Sequence, residues 1–503
     1  MFNNSIIIRF RLALTYLMLS PMYRILPLIL CLGALAAPVF AKSPNVLIIL
    51  VDDMGYGDLK AFNADSQIPT PHLDRLASEG MLFTDAHAAG SVCHPSRYGL
   101  ITGELPFRVD TSIWPKTAVI SPDRMTIASL LREQGYRTAM VGKWHLGFNE
   151  TGYENPLSGG PVDVGFDTYF GIRASTDIPP YFYIEADRAL VPPVNQIEAN
   201  TSPEPWTPIQ GAFWRDGGVA PNLQLEDVLP RFTDEAVGVI RNHARLESEK
   251  PLLLYLAYPA PHTPWLPTPD FVGRTNNMYG DFTLMVDHMI GRVLTALEQS
   301  GMREETLVIF SSDNGPVWYE KDVQAYGHSS VGHLRGMKGD AYEGGHRMPF
   351  IVRWPGKVEP GSSSAQTICF TDIMATLADV SGASIPAGQA PDSFSFLPAL
   401  QGKSLPHTRA RGPLLLQSSR GHFSLRIGKW KYIDKLGAGG FSDGRGANYR
   451  KPKPSPNGPT AQLFDMETDP GETTNVWADF PDVVDVMEQQ LERLKNERHT
   501  RPY

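Results

Sequence analysis

The chain has 503 residues, 42% of them hydrophobic and 20% charged, with a formal net charge of −9. That is a globular composition, long enough for a large buried core and more than one lobe. The acidic balance excludes indiscriminate binding of polyanions, nucleic acid included, so an anionic ligand would have to be held by a few local cations.

Residues 1–41 carry Arg9, Arg11 and Arg24 as their only charges and contain the apolar run ILPLILCLGALAAPVF, which leads to Val39-Phe40-Ala41. This reads as a secretory signal peptide, with Met22 an alternative start and an uncleaved anchor helix the competing reading. The expected location is periplasmic or secreted, with no stable membrane anchor. Cleavage leaves Cys93 and Cys369. Exported proteins usually pair their cysteines, so a Cys93–Cys369 disulfide is one expectation and a chemically used Cys93 the other.

From Ser43 onward apolar strands alternate with helices. PNVLIILV is a continuous apolar run of the kind buried in a parallel sheet. HLDRLASEG and MTIASLLREQG read as helices, the second closed by Gly135 and followed by the strand YRTAMVG. LPRFTDEAVGVIRNHA is a helix leading to the strand PLLLYLAY. DFTLMVDHMIGRVLTALEQSG is a long helix leading to TLVIFSS, and RMPFIVRW is a further strand. The stretches 151–218 and 311–345 read as long loops, where binding residues concentrate. Past Pro406, GPLLLQSS, HFSLRIGKWKYI and QLFDMETDPGETTN read as strands and turns, and PDVVDVMEQQLERLKNE as an amphipathic helix. The predicted fold class is α/β. A large mixed, mostly parallel sheet sandwiched by helices occupies residues 42–405, followed by a smaller α+β subdomain over 406–503.

Open α/β sheets bind ligands beyond the carboxyl ends of their strands. Four predicted strands end in loaded residues there: Asp52-Asp53, then Lys143 and His145 in GKWHLG, His262 in PAPHTPW, and Asp313-Asn314. Asp52, Asp53, Asp313 and Asn314 are all oxygen donors, and three crowded carboxylates repel unless a cation neutralises them. Hard oxygen ligands favour calcium or magnesium over zinc, and the crowding suits calcium better. Asp58 reads as a loop or capping residue. Pro95 fits the first turn of a helix over PSRYGLITG, which places Cys93 at its positive end with Arg97 one turn on.

Cys93-His-Pro95-Ser96-Arg97-x-x-Leu100-x-Thr102-Gly103 matches C-x-P-S-R-x-x-L-x-T-G, and here the chain resembles the formylglycine-dependent (type I) sulfatases of the alkaline phosphatase superfamily. DDMGYGD, GKWHLG, PHTP, SDNG and GMKGDAYEGGHR follow in family order between residues 45 and 355. The resemblance implies that Cys93 is converted to formylglycine (3-oxoalanine) by a formylglycine-generating maturation enzyme. It implies calcium held by Asp52, Asp53, Asp313 and Asn314, with Asp313 assisting deprotonation of the attacking hydroxyl. Lys143 and Lys338 would hold the sulfuryl charge. His262 and Lys338 would protonate the leaving alcohol, His145 would act as base for the second hydroxyl, and Arg97 would keep the site in register. Ser175 in FGIRASTD matches a sulfate-pocket position of some relatives. His333, His346 and Arg347, near Lys338, read as loop supports. Asp177, Tyr181, Trp214, Arg215 and Trp265 are candidates for reading the rest of the substrate. The implied activity is an exo-acting carbohydrate O-sulfatase on sulfated polysaccharide or oligosaccharide. The alternatives are a broad arylsulfatase, a phosphate or phosphonate ester hydrolase of the superfamily, and a non-catalytic carbohydrate-binding relative.

Overall fold

The computed structural model describes residues 43–247, 249–403, 411–444, 455 and 458–501. The expected signal peptide, residues 1–41, and the expected boundary at 405/406 lie outside the described residues. No helix among the described residues is long and apolar enough to cross a membrane.

The core is a ten-stranded sheet. Its strands, in chain order, are β1 Asn45–Val51, β2 Met81–Phe83, β3 Arg137–Lys143, β4 Thr168–Ile172 and β5 Tyr183–Glu185. They continue with β6 Arg188–Ala189, β7 Leu252–Ala257, β8 Thr306–Ser312, β9 Phe350–Arg353 and β10 Ser362–Ser364. The spatial order is β10-β2-β9-β8-β1-β7-β3-β4-β5-β6. The five central strands, β8-β1-β7-β3-β4, are all parallel. Antiparallel pairs flank them, β9 on β8 at one side and β5 on β4 at the other. Every residue of β1, β7 and β8 is buried, which is why these strands read as unbroken apolar runs: a parallel sheet needs cover on both faces.

That cover comes from two groups of packed helices, α1 Pro71–Ser78 with α4 Val228–Leu246 and α5 Met278–Gln299, and α2 Cys93–Thr102 with α3 Ile127–Glu133 and α6 Asp372–Ser381. Each forms for a local reason. In α4 the buried residues Leu229, Phe232, Ala236, Val237 and Ile240 fall on one face at helical spacing. In α3 a reciprocal Thr126/Ser129 cap satisfies the first free N–H groups. In α5 the Asn277 side chain accepts from Gly280 N at 2.9 Å.

The C-terminal region adds an antiparallel four-stranded sheet, β11 Leu414–Gln417, β12 Phe423–Ile427, β13 Trp430–Ile433 and β14 Gln462–Asp465. HFSLRIGKWKYI forms two of these strands, because Gly428 takes φ 57° and turns the chain back. Helix α7, Pro481–Asn496, buries Val484, Met487, Leu491 and Leu494 and contacts this sheet at β13. Two stretches expected as loops hold more order than predicted: β4 lies inside 151–218, and short helices at Glu320–Tyr326 and Glu343–His346 lie inside 311–345. Cys93 and Cys369 are both buried free thiols, so the disulfide expectation fails.

Candidate active site

The sheet delivers its loaded residues to one edge. β1 runs into Asp52 and Asp53, and β8, its parallel neighbour, into Asp313 and Asn314; all four are buried. β3 ends at Lys143, and His262 follows β7. Gly142 is essential to this bend. Its φ is 117°, and a Cβ there would stand 2.0 Å from the Ala257 carbonyl oxygen; only glycine lets β3 approach β7 so closely while turning Lys143 into the site.

Helix α2 begins at Cys93 without a side-chain cap. Its first turn therefore offers uncapped N–H groups beside the thiol, an anion-favouring position. The Cys93 thiol donates to Asp52 Oδ1 at 3.3 Å, and Lys338 Nζ lies 3.4 Å from the sulfur. Lys338 also donates to both oxygens of Asp53, at 2.6 and 2.7 Å. Lys143 donates to Asp52 Oδ2. Arg97, fully buried, donates from Nε to Asp313 Oδ2 at 2.9 Å and from Nη1 to the Lys143 carbonyl at 3.1 Å. His262 Nε2 lies 3.6 Å from Asp53 Oδ2.

This packing of charge shifts the acids and bases. Burial, then the nearby Asp52 carboxylate, raises Asp313 to about 6 despite Arg97. Burial alone would raise Asp52 as well, but Lys143 and the other surrounding cations hold it well below the usual carboxylate range. The Cys93 thiol is pushed up by burial and by Asp313 and Asp52. An unmodified Cys93 is therefore a poor thiolate nucleophile, contrary to what an activated catalytic cysteine requires.

His145 has both ring nitrogens buried without a hydrogen-bond partner. Burial, then Lys143, lowers its pKa well below the usual value, so the ring is neutral. It takes φ 61°, and Trp114 packs edge-on against it at 4.3 Å between centroids. Ser175 Oγ and Asp177 Oδ1 are likewise buried and unpartnered. Both face a cavity of about 220 Å³ floored by Cys93, Asp53, His145, His262 and Lys338.

Cys93, Asp53, His145, His262, Lys338 and Ser175 line the cavity, and Asp52, Arg97, Lys143, Asp313 and Asn314 lie behind it, joined to these residues or to one another. The substrate candidates divide. Asp177, Arg215 and Trp265 line the cavity. Tyr181 stands behind it, its hydroxyl donating to the Arg215 carbonyl at 2.8 Å, and Trp214 Nε1 donates to the Glu198 carbonyl at 2.9 Å. His333 packs on Tyr56 and Arg347 donates to the Thr84 carbonyl, both away from the cavity. Asp58 accepts from Gly55 N at 2.7 Å and pairs with His328, a loop-holding role as expected. Sequence reasoning missed the wall residues His94, Trp114, Phe213, Tyr279 and Phe441. His94, inside the Cys93 motif, was within its reach. Phe441 was not, since it arrives from the C-terminal region.

Residues 44–383 match the Sulfatase family. The chain is 33% identical over 493 residues to the N-acetylgalactosamine-6-O-sulfatase of Bacteroides thetaiotaomicron, covering 90% of this chain and 94% of that protein. It is 32% identical over 501 residues to human arylsulfatase A, covering 93% of this chain and 91% of that one. A solved structure from work on the metabolism of multiple glycosaminoglycans by Bacteroides thetaiotaomicron superposes with a TM-score of 0.77 at 31% identity, covering 91% of this chain and 100% of that chain. The chain belongs to the sulfatase family and is a sulfuric ester hydrolase.

Proposed function

We propose that the chain is an exported, exo-acting carbohydrate O-sulfatase whose nucleophile is formylglycine made from Cys93. The observation that carries this reading is the position of Cys93: it sits at an uncapped helix start, between the Asp52 carboxylate and the Lys338 ammonium, on the floor of a recessed cavity. The hydrated aldehyde supplies one hydroxyl to attack sulfur and a second through which sulfate is released.

Asp52, Asp53, Asp313 and Asn314 fit a hard divalent cation. Three carboxylates converge there, and the Asn314 Oδ1 oxygen is buried with no partner. Cys93 and His262 also lie within 4.8 Å of the Asp52 and Asp53 oxygens, but the four proposed ligands offer hard oxygen atoms, which favour calcium, with magnesium the competitor. When bound, that cation withdraws charge from a sulfate oxygen and acidifies the attacking hydroxyl.

The chain's own groups do the rest. Lys143 and Lys338 stand where sulfuryl charge develops, in a site dry enough for fixed charge to count. His262, with 11% of its side chain exposed, faces the cavity beside Asp53 and can hand a proton to the leaving alcohol together with Lys338. Asp313 assists proton removal from the attacking hydroxyl. Neutral His145 can take the proton whose loss expels sulfate. Arg97 holds Asp313 and the Lys143 backbone in register, and Ser175 offers a hydroxyl to the sulfate.

The substrate reading is supported by the relatives' names and by the cavity, whose walls are apolar and aromatic at Phe213, Trp265 and Phe441 with Asp177 and Arg215 as polar readers. A recessed cavity of about 220 Å³ suits a terminal sugar better than a chain interior. Residues 42–405 would form the catalytic domain and 406–503 the smaller subdomain.

The test is peptide mass spectrometry across Cys93 on protein made with and without a formylglycine-generating enzyme. It is paired with sulfate release from 6-sulfated N-acetylgalactosamine, from an aryl sulfate and from the matching phosphate esters. Activity that tracks replacement of the sulfur by an aldehyde oxygen supports the reading. Full activity with an intact thiol overturns it.

A further inference from the structure

The loop that carries Lys338 is clamped from two sides. On the catalytic side Lys338 N donates to the Pro316 carbonyl at 2.9 Å, and Gly339 N to the carbonyl of Ser91, two residues before Cys93, at 2.7 Å. On the other side the C-terminal region holds it: Ser419 N donates to the Gly339 carbonyl at 2.9 Å, and Ala341 N to the Ala438 carbonyl at 2.8 Å.

Behind this loop lie two buried carboxylates, Glu343 and Glu472, at 1% and 0% exposure. They are close enough that Glu343 N donates to Glu472 Oε2 at 2.6 Å. Such a pair requires a cation between its members. His87, Glu343 and His346 have ligand atoms within 4.8 Å of one another, as a metal site would. The charge that sits among them is the chain's own. Lys431 Nζ, from β13, stands 2.8 Å from Glu343 Oε1, 2.7 Å from Glu472 Oε1 and 3.4 Å from His346 Nε2.

The contacts continue in one direction. His346 Nδ1 lies 3.0 Å from His87 Nδ1, and His87 Nε2 lies 3.0 Å from Asp85 Oδ1. His346 Nε2, 3.4 Å from Lys431 Nζ, also lies 3.2 Å from the Ala341 carbonyl oxygen, inside the 338–346 segment. No step of the reaction uses this network. It nevertheless joins the C-terminal sheet to the Lys338 loop and to the segment that leads into Cys93.

We propose that Lys431 is a positioning residue: by bridging Glu343 and Glu472 it fixes the 338–346 segment so that the Lys338 ammonium stays against Asp53 and Cys93. This rests on the reading of Lys338 as a group that acts on the substrate. Without the Lys431 ammonium the two carboxylates are relieved by moving apart or by taking a proton. A proton goes to Glu472, which burial raises to about 7, whereas moving apart displaces Glu343, at the far end of the tight turn that begins at Lys338.

The experiment is a double-mutant cycle on the matured full chain, with kcat and KM measured for aryl sulfates of graded leaving-group pKa. The enzymes are the wild type, Lys431→Met, Lys431→Arg, Lys338→Ala and the Lys338→Ala/Lys431→Met double variant. Lys431→Met is expected to lower kcat by up to about 100-fold, the scale of a small misplacement transmitted to the reacting centre. It should steepen the leaving-group dependence as Lys338→Ala does, cost less than about 2-fold in the Lys338→Ala background, and be largely rescued by arginine. Equal losses in both backgrounds, or an unchanged leaving-group dependence, overturn the proposal and leave the reading of Lys338 standing. A Lys338→Ala enzyme with full kcat overturns that reading and the proposal with it. If Lys431→Met does not fold, Glu472→Gln, which keeps volume and shape, is run through the same cycle with the same outcomes.

Discussion

Arg97 Nε and Asp313 Oδ2 are 2.9 Å apart, with both side chains fully buried. The pair joins the second turn of α2 to the end of β8, so the segment bearing Cys93 and the proposed metal ligands are mechanically one unit. Removing one partner strands the other. Arg97→Met should therefore cost about 3–5 kcal/mol of stability, read from chemical denaturation in chelator. A loss below about 1 kcal/mol would show that the site relaxes around the missing charge.

The four oxygen-donor residues predict a calcium-linked stability. In chelated protein, calcium at 100 times its Kd should add about 2.7 kcal/mol, seen as a rise in Tm. The increment should vanish in Asn314→Ala and Asp313→Ala, and zinc should not reproduce it. A calcium effect that survives both substitutions would place the ion elsewhere.

His145 is held neutral, because burial and then Lys143 drive its pKa well below the usual value. A base of that kind stays unprotonated through the neutral range and is lost only in stronger acid. The kcat profile should therefore show no limb near pH 6.5 that belongs to His145, and His145→Ala should lower kcat by about 10²–10⁴-fold with sulfuryl trapped on the Cys93 peptide. A limb near 6.5 that disappears in this variant would contradict the assignment.

Burial raises Asp340 to about 7, while hydrogen bonds from Ser442 and Met337 N only partly oppose it. A carboxyl whose folded pKa exceeds its unfolded value binds more protons when folded. Its contribution to stability is complete below about pH 4 and is lost as pH rises through 7, by at most about 4 kcal/mol. Asp340→Asn should flatten the change in urea midpoint between pH 5 and 8. An unaltered slope would assign that pH dependence to other groups.

The central sheet was legible because strands buried on both faces must be apolar throughout, and β1, β7 and β8 are. The loaded residues were legible because they follow those strands directly. β4 was not: TYFGI is five residues with a glycine inside a Pro- and Gly-rich stretch, and it becomes a strand by pairing with β3 from Ala139 to Lys143. Helix α6 carried a signal that went unread, with Ile373 and Leu377 one turn apart and Gly382 at φ 73° ending it. Lys431, Glu472 and Phe441 were beyond sequence reading for another reason. Each belongs to the C-terminal region, and its importance arises from contacts with distant parts of the chain, Lys431 and Glu472 with Glu343, and Phe441 with the cavity.

Cys93 is 4% exposed, lies on the cavity floor and starts a helix whose remaining residues are almost all buried. A cavity of about 220 Å³ admits a sugar and excludes another protein's catalytic cleft. On the reading proposed for Cys93, an enzyme that oxidised it would have its access while the segment is still extended. A polypeptide that closed its core before that visit would keep the thiol, and supplying more of the oxidising enzyme afterwards would not recover it.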